Sequence, residues 1–171
     1  MFFKSEISFN FRLFDFWGQN EQIVMSLQDN LMEYITKNSK FWSDDDETVL
    51  SAIREGFIET QKAMWKDLPS WRKTASGHPS TAGTTASICF IKRGKLFIGH
   101  VGDSGIILGE RDPFKSKNHD PFNIKSSHSN DRWRSKRLTQ DHKPEAQPEL
   151  SRIEKAGGKV VSKSGVPRVV W

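Results

Sequence analysis

The sequence predicts an α+β fold on three observations. Apolar residues recur at helical spacing upstream of Pro69, two β-rich apolar runs follow around a Lys-Arg-Gly-Lys turn, and a short helical period with two valine-rich runs comes last. Phe9, Phe11 and Leu13 alternate with Asn10 and Arg12, the period of a strand with one buried face, and this run breaks at Gly18. Over 21–38, Ile23, Val24, Leu27, Leu31 and Ile35 recur at spacings of three and four, which puts them on one helix face. The stretch between, LFDFWGQ at 13–19, therefore falls in the turn from strand to helix. It poses one question: Asp15 is either a metal ligand or a polar residue ending an aromatic strand.

A second helix is expected to begin near Ser43, whose hydroxyl can cap it, with the acids DDDE at 44–47 beside the positive end of its dipole. Val49, Leu50, Ile53, Phe57 and Met64 supply its apolar face, and Pro69 ends it at or soon after Lys66. Leu27, Leu31, Ile35, Ile53 and Phe57 are expected to face a sheet containing Ile88, Phe90, Phe97 and Ile98.

TTASICFIKRGKLFIGHVGDSGIILG then reads as a hairpin turning at Lys92-Arg93-Gly94-Lys95, with a third run at 106–108 after a Gly-Asp-Ser-Gly bend. Asp103 sits in that bend, where the bland role for its carboxylate is accepting turn N–H groups. The stretch 111–137 contains Pro113 and Pro121, shows no sustained period, and reads as a loop insertion. Residues 148–156 form a short amphipathic helix through Leu150 and Ile153, stopped by Gly157-Gly158. Val160-Val161 and 166–171 read as two strands around Ser164-Gly165.

Composition narrows the class. With 171 residues the chain can form one domain that buries roughly 70% of its unfolded surface. Hydrophobic residues at 35%, charged residues at 27%, 12 Phe and 6 Trp exclude a disordered chain. No apolar run suits a membrane helix or a secretory leader, so an intracellular protein of cytoplasm or nucleus is expected. Cys89, the one cysteine, lies in the apolar run ASICFI and reads as a buried, inert thiol. Net charge is +5, and 111–137 holds eight Lys or Arg against three Asp. A solvated loop is the default for that stretch. The alternative is a nucleic-acid contact, with Trp133 stacking among Arg132, Arg134, Lys136 and Arg137.

Six fragments stand in one order: FRLFDFWGQ, PSTAGTTASICFI, HVGDSGIILG, LTQDHKPE, ELSRIEKAGGKV and SGVPRVVW. Together they resemble the metal-dependent type 2C protein serine/threonine phosphatases, and their wording is most similar to the delta-type, DNA-damage-responsive branch. The resemblance runs from about residue 11 to residue 171, leaving 1–10 as an unmatched segment and 111–137 as a basic insertion in a partial phosphatase domain. It implies a sandwich of two antiparallel sheets flanked by helices, Mg²⁺ or Mn²⁺ as cofactor, and phosphoserine or phosphothreonine proteins as substrates. Neither a membrane nor nucleic acid is an expected partner.

In that family the first turn reads Asp-Gly-His-Gly-Gly, where the Asp bridges two cations, the next carbonyl coordinates one, and the His donates a proton. Here the positions read Asp15-Phe16-Trp17-Gly18-Gln19, so only Asp15 and Gly18 match. The resemblance implies metal ligation by Asp15, by the carbonyl of Phe16, and by Asp103 at a weaker additional cation. Trp17 occupies the acid position, and an indole N–H does not ionise, so no catalytic residue is assigned. Asp141 and His142 are similar to a turn motif that orders the family's sheet; His78 and His100 read as ordinary residues. The family's phosphate-binding Arg has no match in MFFKSEISFN, and its two further ligating aspartates have none up to residue 171. The resemblance thus implies the middle of a longer domain, weak or inactive alone. The alternative is a pseudophosphatase that binds phosphoproteins without turnover.

Overall fold

A computed structural model describes residues 8–12, 21–78, 83–111 and 133–170. Two helices, α1 (Glu21–Lys37) and α2 (Asp46–Asp67), precede most of the strands, and α3 (Gln147–Lys155) lies near the end. Strands β1 (Ser8–Arg12), β2 (Ala86–Lys92) and β3 (Lys95–Val101) form one antiparallel sheet in the order β1-β2-β3. Strands β4 (Ile107–Arg111) and β5 (Trp133–Arg137) form a second ladder, β6 (Lys159–Lys163) and β7 (Val166–Val170) a third, both antiparallel. The fold is therefore α+β, as the sequence predicts.

The core forms where α1 and α2 cover one face of the first sheet. Leu27, Leu31 and Ile35 of α1 meet Val49, Ala52 and Ile53 of α2 and Ile88, Phe90 and Phe97 of the sheet. Two glycines let these layers close. A Cβ at Gly56 would strike the Ile35 side chain, and one at Gly99 would strike the Phe57 ring and Ile53 at 2.8 Å. The β2–β3 turn has positive φ at both central residues, Arg93 (51°) and Gly94 (70°), which matches the twist of its strands.

Several expectations need correction. Ile98 is half-buried on the opposite face, because it pairs with Cys89 while the core residues Phe97 and Phe90 pair one step away. Leu50 is exposed, since it is one residue, roughly 100° of helix, beyond buried Val49. The cap of α2 is Asp45, whose carboxylate takes the Thr48 N–H at 2.8 Å and hydroxyl at 2.6 Å. Ser43 lies two residues earlier, and its carbonyl faces Lys92 and Arg93 of the hairpin instead. The acids 44–47 thus meet cations as well as a dipole: Asp44 pairs with Arg93, and Asp46 with Lys95. Cys89 is only half-buried, and that burial pushes its thiol up. Finally, 133–137 is not loop but strand, held by ladder bonds to β4.

Candidate metal and turn site

Register decides what meets at the end of the first sheet. Arg12 of β1 pairs with Ser87 of β2, and Ser87 pairs with His100 of β3. Asp15 follows Arg12 by three residues and Asp103 follows His100 by three. Antiparallel flanking strands β1 and β3 both run the same way, so the chain leaves both at one end of the sheet, roughly 10 Å apart across β2.

The bend after β3 is built around Gly102, whose φ of +101° a side chain resists and whose Cβ would collide with Thr85. Thr85 and Ser104 hydroxyls join at 2.6 Å across the same bend. Asp103 is exposed in it, and its carboxylate is an oxygen donor of the type that hard cations take. Asp15, Phe16, Trp17, Gly18 and Gln19 lie outside the described residues. Among the described residues no three His, Cys, Asp or Glu side chains gather as a metal cage. The donor chemistry fits Mg²⁺ or Mn²⁺, but the described part contributes a single carboxylate.

Behind the bend stands the segment 138–143. The Leu138 N–H donates to the Ile106 carbonyl, the Ile106 N–H to the Thr139 hydroxyl, and the His142 N–H to the Gly102 carbonyl, each at 2.9 Å. Arg137 reaches the Thr139 carbonyl at 2.9 Å and pairs with Asp141. The His142 ring lies against His100 with centroids 4.9 Å apart. Burial, and then the charge of His142, holds His100 below its ordinary value. His78 is exposed and belongs to a separate turn with Thr74.

Sequence reasoning recognises His142 and Asp141 as a turn motif, yet treats His100 as ordinary and passes over Thr85 and Ser87. Nothing in their local spacing announces the cluster, because its members are 13 to 40 residues apart. Hairpin register alone could have found the Ser87–His100 pair.

Comparisons with known proteins bear on this arrangement. The family described as Protein phosphatase 2C matches residues 14–171. The chain is 27% identical over 148 residues to Protein phosphatase 2C homolog 2 of Aspergillus fumigatus, an alignment covering 86% of this chain and 27% of that protein. It is 29% identical over 148 residues to the protein of the same name from Hypocrea jecorina, covering 86% and 26%. Protein phosphatase 2C 1 of Paramecium tetraurelia is 27% identical over 153 residues, covering 86% and 42%. The chain thus spans about a quarter to two fifths of the length of these relatives.

Proposed function

Because the chain belongs to the protein phosphatase 2C family, we propose that it supplies part of the site of a metal-dependent protein serine/threonine phosphatase and is weak or inactive by itself. The observation that supports this reading is register: β1 and β3 end on the same side of one sheet, and in the sequence Asp15 and Asp103 each follow those ends within three residues. A divalent cation there would supply an acidified water and a clamp for phosphoryl oxygens. The chain's own residues have narrower tasks. Asp15 and the Phe16 carbonyl would hold cations together with the exposed Asp103, and all three are hard oxygen donors suited to Mg²⁺ or Mn²⁺. Asp15 and the Phe16 carbonyl would serve the primary cations and Asp103 a weaker additional one, and with so few protein carboxylates at each position weak affinity is expected. Phosphoserine and phosphothreonine proteins are the proposed substrate class. The assignment to the delta-type branch is likewise proposed, and it rests on motif wording alone.

Trp17 favours a second reading. An indole cannot deliver a proton to a leaving group at neutral pH, which removes an effect of about 10²–10⁴-fold. The chain would then bind phosphoproteins without turnover. Calorimetric titration with Mn²⁺ tests the weak-site reading: binding no tighter than millimolar is expected. A micromolar two-cation site abolished by Asp15→Ala would overturn the weak-site reading.

A further inference from the structure

Gly102 has two polar backbone groups at the bend that delivers Asp103, and one residue takes both. Its N–H donates to Nδ1 of His142 at 3.2 Å, while its carbonyl accepts the His142 N–H at 2.9 Å. A ring nitrogen that accepts carries no proton, so this pairing fixes His142 as the neutral Nε2–H tautomer. His100 is set in the same form. Its Nε2–H donates to the Gln140 carbonyl at 3.1 Å, leaving Nδ1 to accept the Ser87 hydroxyl at 2.9 Å. The two rings stack with an interplanar angle of 21°. Protonating His142 would set an N–H against the Gly102 N–H and a cation against the face of His100.

We propose that His142 is a proton-sensitive positioning residue: its neutral ring, stacked on His100, latches segment 138–143 to the Gly102–Asp103 bend, and protonation releases the latch. Two carboxylates lie close to the pair, Asp141 by His100 and Glu149 by His142, and each is already paired with an arginine. Asp141 is engaged by Arg137 and lies 3.5 Å from Lys143, and Glu149 of α3 is engaged by Arg152 at 2.7 Å. The consequence for a cation at Asp103 rests on the metal reading above; the latch itself does not.

Nuclear magnetic resonance on the ¹⁵N-labelled chain of 171 residues tests this directly. At about pH 7.5 the ring nitrogens of His142 should report the Nε2–H tautomer. Between about pH 7.5 and 5.5 the exchange protection of the Gly102 amide should fall about threefold to tenfold, the factor an ordinary hydrogen bond sets, while that of Ile88 holds. His142→Asn retains an acceptor that does not titrate, so Gly102 should stay protected at both values. His142→Phe retains the ring without the acceptor and should leave Gly102 unprotected at both. Should His142→Phe fail to fold, the comparison of wild type with His142→Asn still decides. An Nδ1–H tautomer, or Gly102 protection independent of pH in the wild type, would overturn the proposal. Line broadening by Mn²⁺ forms a separate arm. Gly102 protection that follows His142 without any broadening around Asp103 supports the latch and overturns the metal role.

Discussion

Lys92 ends β2 with its side chain folded inward, an arrangement a lysine adopts only when its ammonium finds acceptors. Nζ donates to the Phe41 carbonyl at 2.6 Å and the Ser43 carbonyl at 2.8 Å, and sits 5.5 Å above the Phe41 ring. It thereby fastens the hairpin to the link between α1 and α2. Lys92→Met keeps the stem but strands the Phe41 carbonyl, leaving that of Ser43 to Arg93, so urea unfolding should record a loss of about 1.5–3 kcal/mol, the range for hydrogen bonds to a charged group. His100 gives a prediction with a definite sign. Its folded value lies below the ordinary 6.5 because burial, and then His142, disfavour its charged form. The unfolded chain therefore binds more protons as pH drops below 6.5, and stability present above that value is lost toward the depressed one. The urea midpoint should fall between about pH 7 and 5, and His100→Gln should flatten that slope. An undiminished slope in the variant would assign the loss to other groups. Neither residue could be singled out from sequence. Lys92 reads as a turn lysine until the carbonyls of a distant segment are known, and His100 reads as a strand residue until register brings it to Ser87.

Elements were far more legible than residues, because their signals are periodic and local. Spacings of three and four gave α1 and α2, alternation gave β1, apolar β-rich runs about a turn gave β2 and β3, and Gly-Gly gave the end of α3, where the Gly158 N–H returns to the Ile153 carbonyl at 3.0 Å. What was misread lay at boundaries and faces. Asp45 displaced Ser43 as cap, Leu50 turned outward, and β5 was hidden in a stretch whose charge and lack of apolar alternation conceal a strand with every residue exposed. Packing of α1 on α2 and the sheet makes the element-scale prediction. Leu31 is fully buried, so Leu31→Ala should cost about 2–5 kcal/mol, whereas half-buried Phe57 should cost less than its size suggests. Gly99→Ala should cost about 1–3 kcal/mol by driving a methyl into Phe57 and Ile53. The α1–α2 link is also acid-sensitive. Lys40, then Asn38 and Ser51, hold Glu55 down to about 2 from 4.5, so its contribution is complete above 4.5 and lost as pH falls toward 2. Glu55→Gln should therefore lessen the acid-induced fall in unfolding midpoint, and high salt should mask the difference.

At the scale of the whole molecule, one face of the β1-β2-β3 sheet is covered by helices and the other carries Cys89, Ile91, Leu96 and Ile98, with Ile91 and Leu96 38% and 43% exposed. The chain spans 27% of the length of its Aspergillus fumigatus relative. The site was legible only in outline. Six ordered motifs identified the family, and the Gly-Asp bend was foreseen at the end of β3, because Gly and Asp have strong turn chemistry. The clamp behind it depends on side chains that meet through tertiary register, which no window of sequence displays. The nucleic-acid alternative for 111–137 now has a strand, β5, under its aromatic and basic residues, but Arg137 is committed to Asp141 and Thr139. The proposed function has Asp15 and Asp103 serve cations beside one end of a phosphatase-family sheet, without an ionisable acid at position 17. It is tested most directly by turnover of a phosphothreonine peptide with Mn²⁺, using the unmodified chain beside Asp15→Asn and Asp103→Asn. The account predicts background hydrolysis in all three; robust Mn²⁺-dependent turnover by the unmodified chain that disappears in Asp15→Asn would contradict it.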